Sequence, residues 1–324
     1  MDMNDTNLAN YLQSIGAPDH QLSMRDLKPI SDLEPGERAA FLAGWQAIEP
    51  LRRAEIMRAM VELSEDNVDL LFQAVMQWCL DDPEASVRAA AIEGLWESES
   101  PRVLRRLLEI LRTDADLQVR EAAATGLSRF AYLAELGELD DRDAAELLRG
   151  LLLMVQDQKQ PLDVRRRALE AVGYYSSEED VLRQIERAYS TDEQELKESS
   201  LVAMGRSMLP RWLPTIAREM ESRSPALRYE AARAAGELAE EARPLVARVA
   251  RLLGDKDTEV ALAAIWALGQ IGGDAARRVL REASKSDSEA RIQAAAEALA
   301  ELSMEDGIAG TSFDRSGPFG GRNN

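Results

Sequence analysis

The sequence predicts an all-α solenoid, a superhelical stack of antiparallel helix pairs. Three observations lead there. A phrase of small and apolar residues recurs along the chain at a nearly constant interval. Each copy is preceded by a second, amphipathic pattern. The composition suits helices more than strands: aromatics are 5% of 324 residues, while alanine and leucine are prominent.

The phrase is clearest in "DDPEASVRAAAIEGLWE", residues 81–97. With Val87 as anchor, the equivalent positions are Val119, Val164, Leu196, Leu227, Val260 and Ala290. Successive anchors lie 30 to 33 residues apart, except for one step of 45 between Val119 and Val164. The fourth residue after each anchor is small: Ala91, Ala123, Ala168, Ser200, Ala231, Ala264 and Ala294. Small side chains there let helices approach closely. One helix pair cannot bury its apolar face alone, but stacked neighbours can.

Taken in order, residues 1–36 form a polar segment expected to be partly ordered, with "DLKPISDLEPGE" reading as loop. "ERAAFLAGWQAI" and "LRRAEIMRAMVEL" read as a first, weaker helix pair, which opens an array of about eight pairs over 37–302. First helices of the pairs include "PRVLRRLLEILRTD", "DVLRQIERAYST", "LPTIAREMES" and "PLVARVARLLGD", with apolar residues at i, i+3, i+4 and i+7. Pro101 and Pro244 suit first-turn positions, where a missing N–H costs nothing. Asp116, Asp257 and Asp287 precede their anchors by three residues and suit helix caps. The long step carries an insertion at 130–143, predicted as an extra turn or an extended second helix followed by a loop. Its Glu135, Glu138, Asp140, Asp141 and Asp143 lack the alternation and central glycine of a calcium loop, so a solvated acidic loop is expected. Residues 303–324, rich in glycine and polar residues, are expected to be a disordered tail.

Aligned, the copies follow D-x-x-x-x-V-R-x-x-A-[AIL]-x-[AG]-L. This pattern resembles HEAT-like repeats, including the short type of the phycobilin lyases. Asp82, Asp114 and Asp255 match the leading Asp. Arg88, Arg120, Arg165, Arg228 and Arg291 match the Arg, with Lys197 close, while Ala261 replaces it in the sixth copy. The resemblance implies that these cations form a structural ladder, pairing with an Asp of the same or next copy and with nearby carbonyls. It also implies that the second helix of each pair lines the concave face. A lyase-type accessory protein or chromophore chaperone is the alternative that the resemblance carries.

Several functions are disfavoured. Asp and Glu number 58 against 39 Lys and Arg, a net charge of −19, which opposes the phosphate neutralisation that nucleic-acid binding needs. The lone Cys79 sits among apolar neighbours and reads as an inert core thiol. No HExxH, GxSxG or phosphate loop is present, and the lone His20 is followed by Gln21 rather than the Glu of a di-iron pair. No enzyme activity and no cofactor are therefore expected. The first residues lack a signal-peptide pattern, and no apolar run approaches the ~20 residues of a membrane span; a cytoplasmic protein is expected.

The function expected instead is a protein-interaction scaffold. Positions two and six after the anchor should face outward on the second helix. The first of these runs Ala89, Glu121, Arg166, Glu198, Tyr229, Leu262, Ile292; the second includes Val202 and Trp266. Val202, Tyr229, Leu262, Trp266 and Ile292 would form an apolar stripe for a protein or peptide segment with basic flanks, or for self-association.

Overall fold

A computed structural model describes residues 5–67 and 69–312, and its regular structure is helical throughout those residues. The chain divides into two compact units, 1–174 and 175–324.

The first unit holds α1 (Asp5–Ile15), α2 (Met24–Leu27), α3 (Arg38–Gln46), α4 (Pro50–Asp66), α5 (Gln73–Cys79), α6 (Ala85–Glu93), α7 (Pro101–Thr113), α8 (Leu117–Glu135), α9 (Asp141–Gln156) and α10 (Leu162–Val172). The second holds α11 (Glu179–Tyr189), α12 (Gln194–Arg206), α13 (Leu213–Glu219), α14 (Pro225–Glu237), α15 (Val246–Leu252), α16 (Thr258–Ile271), α17 (Gly273–Ala283) and α18 (Glu289–Ser312). Tight helical turns at Pro210–Trp212 and Ala239–Leu245 lead into α13 and α15. From α5 onward the helices pair in sequence, giving a first row of odd-numbered and a second row of even-numbered helices; α4 joins the second row by packing on α6, and α3 packs on α1. Within each unit, second-row neighbours pack closely while first-row neighbours barely touch. Each unit therefore curves toward its second row.

Local chemistry explains the boundaries. Pro50, Pro101 and Pro225 begin their helices, where the missing N–H is no loss. The Asp116 carboxylate accepts from the backbone N–H groups of Gln118 and Val119 at 2.9 and 3.2 Å, and Asp257 caps α16 likewise. The anchors from Val87 to Val260 are buried, and Ala91, Ala123, Ala168, Ser200, Ala231 and Ala264 are fully enclosed. The close approach that small residues permit is visible at Gly205 of α12. A methyl group there would lie 2.9 Å from the Ala234 backbone of α14.

The last copy departs from this register. Ala290 is exposed and Ala294 half-buried, whereas Ala295, Ala298 and Leu302 join the core. Gly269 of α16 faces Ala298 as Gly205 faces Ala234. Ala234 stands seven residues after Leu227, and Ala298 seven after Arg291. The inward face of α18 thus begins at Arg291, one residue later than the phrase suggests.

Three segments outside the regular repeats behave distinctly. Residues 5–15, read as part of a polar stretch, form α1, whose Leu8, Leu12 and Ile15 are buried as it packs on α3. Gly44 leaves room there for the Ala9 backbone. Over the insertion, α8 runs on to Glu135 before a short loop to α9. Asp143 is not solvated: it is 4% exposed and accepts from Arg105 Nε and Nη2 at 3.1 and 2.8 Å, joining α7 to α9. At the other end, α18 continues to Ser312, so helix occupies the start of the segment read as a tail; residues 313–324 lie outside the described residues. Among the described residues, no helix is long and apolar enough to cross a membrane.

Candidate protein-interaction surfaces

The arginine ladder is built from rungs that join one repeat to the next. Arg88 on α6 donates from Nε and Nη2 to both oxygens of Asp114, at 2.9 and 2.7 Å. Its Nη1 donates to the carbonyls of Asp82 and Pro83 in its own turn. Arg228 on α14 repeats this with Asp255, at 2.6 and 2.8 Å, and with the carbonyls of Ser222 and Arg223. The planar, forked guanidinium makes this four-acceptor arrangement possible. Asp114 and Asp255 also accept the N–H of Asp116 and Asp257, which orders the turn before the next helix. The hydrogen bond from Arg228 holds the Asp255 carboxyl below its ordinary range. For Asp114 burial pushes upward, but the Arg88 and backbone hydrogen bonds outweigh it and the net shift is down.

The remaining rungs vary. Arg120 donates to the Leu111 carbonyl and to the Gln160 side chain, an amide in place of a carboxylate. Arg165 is half-buried within reach of the Asp157 charge, and Lys197 is half-buried; neither makes an ion pair among the described residues. Arg291 donates to the Asp255 carbonyl at 3.1 Å. One rung escaped the sequence comparison. Arg53 on α4 donates to Asp82 at 3.0 Å and to the Ile48 carbonyl, while Trp45 Nε1 donates to the other Asp82 oxygen at 2.8 Å. Arg53 and Asp82 are only 4% and 6% exposed. The signal for Arg53 lay in Asp82 itself, a leading Asp with no earlier Arg assigned to it.

The residues of the apolar stripe lie on α12, α14, α16 and α18. Val202, Tyr229, Leu262 and Trp266 are half-buried, and Ile292 is 39% exposed. Leu262 and Trp266 share one face of α16, one turn apart. Trp266 is partly used by the fold: Arg233 stacks over its ring at 3.8 Å, and its ring edge fills the space over Gly236. The register of α18 turns Ile292 by about 100° from the line of Tyr229 and Leu262, into the place of a ladder arginine. Gln293 takes the aligned position.

No constellation of catalytic type accompanies these surfaces in the described residues. No group of three or more His, Cys, Asp or Glu there is arranged to hold a metal ion. Cys79 is buried, and burial first, then the nearby Asp82 charge, pushes its thiol well above the ordinary value.

Comparison with known proteins agrees with the repeat architecture. A family model described as HEAT repeats matches residues 49–128, 72–154 and 213–300. Among curated proteins, none matches the sequence. Similar solved structures include the Escherichia coli protein YibA, at 16% identity over 81% of this chain and 91% of that one, with a TM-score of 0.46. Human deoxyhypusine hydroxylase with glycerol is 18% identical over 93% and 97%, with a TM-score of 0.30. The Kap95:Nup1 complex is 14% identical over 94% of this chain and 47% of that one, with a TM-score of 0.49.

Proposed function

The chain belongs to the HEAT-repeat family, and from that premise we propose that it is a non-enzymatic protein-binding scaffold or adaptor. Its second-row face in the unit 175–324 takes a segment of another protein. HEAT-repeat folds commonly mediate protein–protein interaction, and one observation supports that role on this face. Tyr229, Leu262 and Trp266 keep part of their apolar surface open where the repeat itself has no need of it. Exposed apolar patches of this kind mark interaction sites, and Trp and Tyr are among the residues that supply most of the binding energy of an interface. The charge of −19 favours a partner segment with basic flanks, which it would steer toward the face. The chromophore-chaperone alternative gains nothing from Cys79, whose thiol is sealed.

Photo-crosslinking tests the reading. A photoreactive residue at position 229 or 262 should capture a defined polypeptide in the native cell. One at Arg248, exposed on the first row, should not. Leu262→Glu should weaken that capture while leaving helical content intact. Equal capture at all three positions, or capture unchanged by Leu262→Glu, would remove the proposal. Crosslinks between two copies of the chain would assign the face to self-association instead.

A further inference from the structure

The unit 1–174 carries a second surface that the apolar stripe does not include. Between the exposed faces of α6 and α8 lies an open groove of about 880 Å³. Its floor is hollow because the residues facing it are small: Ala89, Ala122 and Gly126. Trp96, in the turn after α6, forms one side and is 56% exposed, an unusual state for an indole. Glu65 on α4 and Glu93 on α6 line it as well, both exposed and neither in an ion pair among the described residues.

The charge of the groove is one-sided once its own pairs are removed. Arg167 is tied to Glu121 and Glu170, each at 3.1 Å. Arg129 is tied to Glu99 and leans over Tyr132. The cations of the groove are thus occupied, and the carboxylates of Glu65 and Glu93 are left without a partner cation among the described residues, in the same groove that exposed Trp96 lines.

We propose that this groove docks a basic peptide segment, a lysine or arginine of which lies on Trp96 between Glu65 and Glu93. An indole face is the best aromatic acceptor for a cation, and two carboxylates lining the same groove supply charge and hydrogen-bond acceptors. The small floor residues leave room for the peptide backbone. This site is separate from the surface proposed above, with its own chemistry and on the other unit.

The test uses the full chain and a fluorescein-labelled decapeptide of alternating lysine and glycine, followed by fluorescence anisotropy. Binding should weaken at least tenfold with Trp96→Ala, and by a similar factor with Glu65→Gln/Glu93→Gln. Glu178→Gln/Glu241→Gln removes the same charge from exposed positions on the other unit and should change affinity less than twofold. Leu262→Glu should leave it unchanged, so failure of the stripe and failure of the groove read out separately. Absence of binding, an unchanged affinity in Trp96→Ala, or equal losses from both double variants would each overturn the proposal; the last would mean attraction to overall charge alone. Concentration-dependent dimerisation abolished by Trp96→Ala would assign the groove to a second copy and overturn it as well.

Discussion

Arg228 grips both oxygens of Asp255, and through them the turn that begins the next repeat. Asp255 has its folded pKa lowered, chiefly by that hydrogen bond. A lowered carboxyl contributes stability that is present above the unfolded pKa, about 3.9, and is lost as pH falls through the folded value. Arg228→Gln should therefore cost about 2 kcal/mol near neutral pH. The gap from wild type should narrow as pH falls from 6 to 3. Urea denaturation across that range checks both statements, and a gap that widens toward acid would contradict them.

The first rung is more deeply buried, so its loss should cost more. Arg53→Ala leaves Asp82 charged, enclosed and held only by Trp45 and backbone. Removing one partner of a buried pair typically costs about 3–5 kcal/mol. Trp45→Phe removes one hydrogen bond to a charged acceptor, worth about 1.5–3 kcal/mol. Thermal unfolding should rank wild type above Trp45→Phe above Arg53→Ala.

Close helix packing in the second unit depends on Gly205. An alanine there puts its methyl 2.9 Å from the Ala234 backbone and 3.2 Å from Glu237. Backbone cannot yield as a flexible side chain can, so a loss of about 1–3 kcal/mol is expected despite the better helix propensity of alanine. At Gly36 nothing lies within 4 Å. Gly36→Ala should stay within about 0.5 kcal/mol of wild type in the same denaturant titration.

Cys79 should behave as a core residue. A thiol-specific reagent at pH 8 should label the native protein only as fast as the surrounding helices open, and rapidly in denaturant. Fast labelling of the folded protein would show an accessible thiolate and reopen the question of a nucleophile.

The sequence was legible where repetition could be used. Arg88, Arg120 and Arg228 stood out because each followed an aliphatic anchor; in the structure Arg88 and Arg228 bind a following Asp and nearby carbonyls, whereas Arg120 binds a carbonyl and the Gln160 amide. Arg53 did not stand out because its copy, "LRRAEIM", has an arginine where six of the seven others have valine or leucine. The shift in α18 was hidden by its composition. With Ala290, Ala294, Ala295, Ala296 and Ala298 in one helix, alanine fills both candidate inward faces over the copy, and the phrase alone does not choose between them. The helix α1 was obscured because its three buried residues are spaced among Asn, Gln and Ser. Trp96 escaped for another reason. It lies beyond the end of α6, and its groove exists only because Ala89 and Ala122 come together from different repeats.

The indole N–H of Trp45, which donates to Asp82, has a counterpart in Trp212, which donates to the Ser207 hydroxyl at 2.9 Å. Both rings are buried, and they lie in different units. The molecule thus contains two shielded fluorophores, each reporting on its own half. With Trp78, Trp96, Trp266 and one of the pair replaced by phenylalanine, the emission of the other would time the opening of its half, without a label attached.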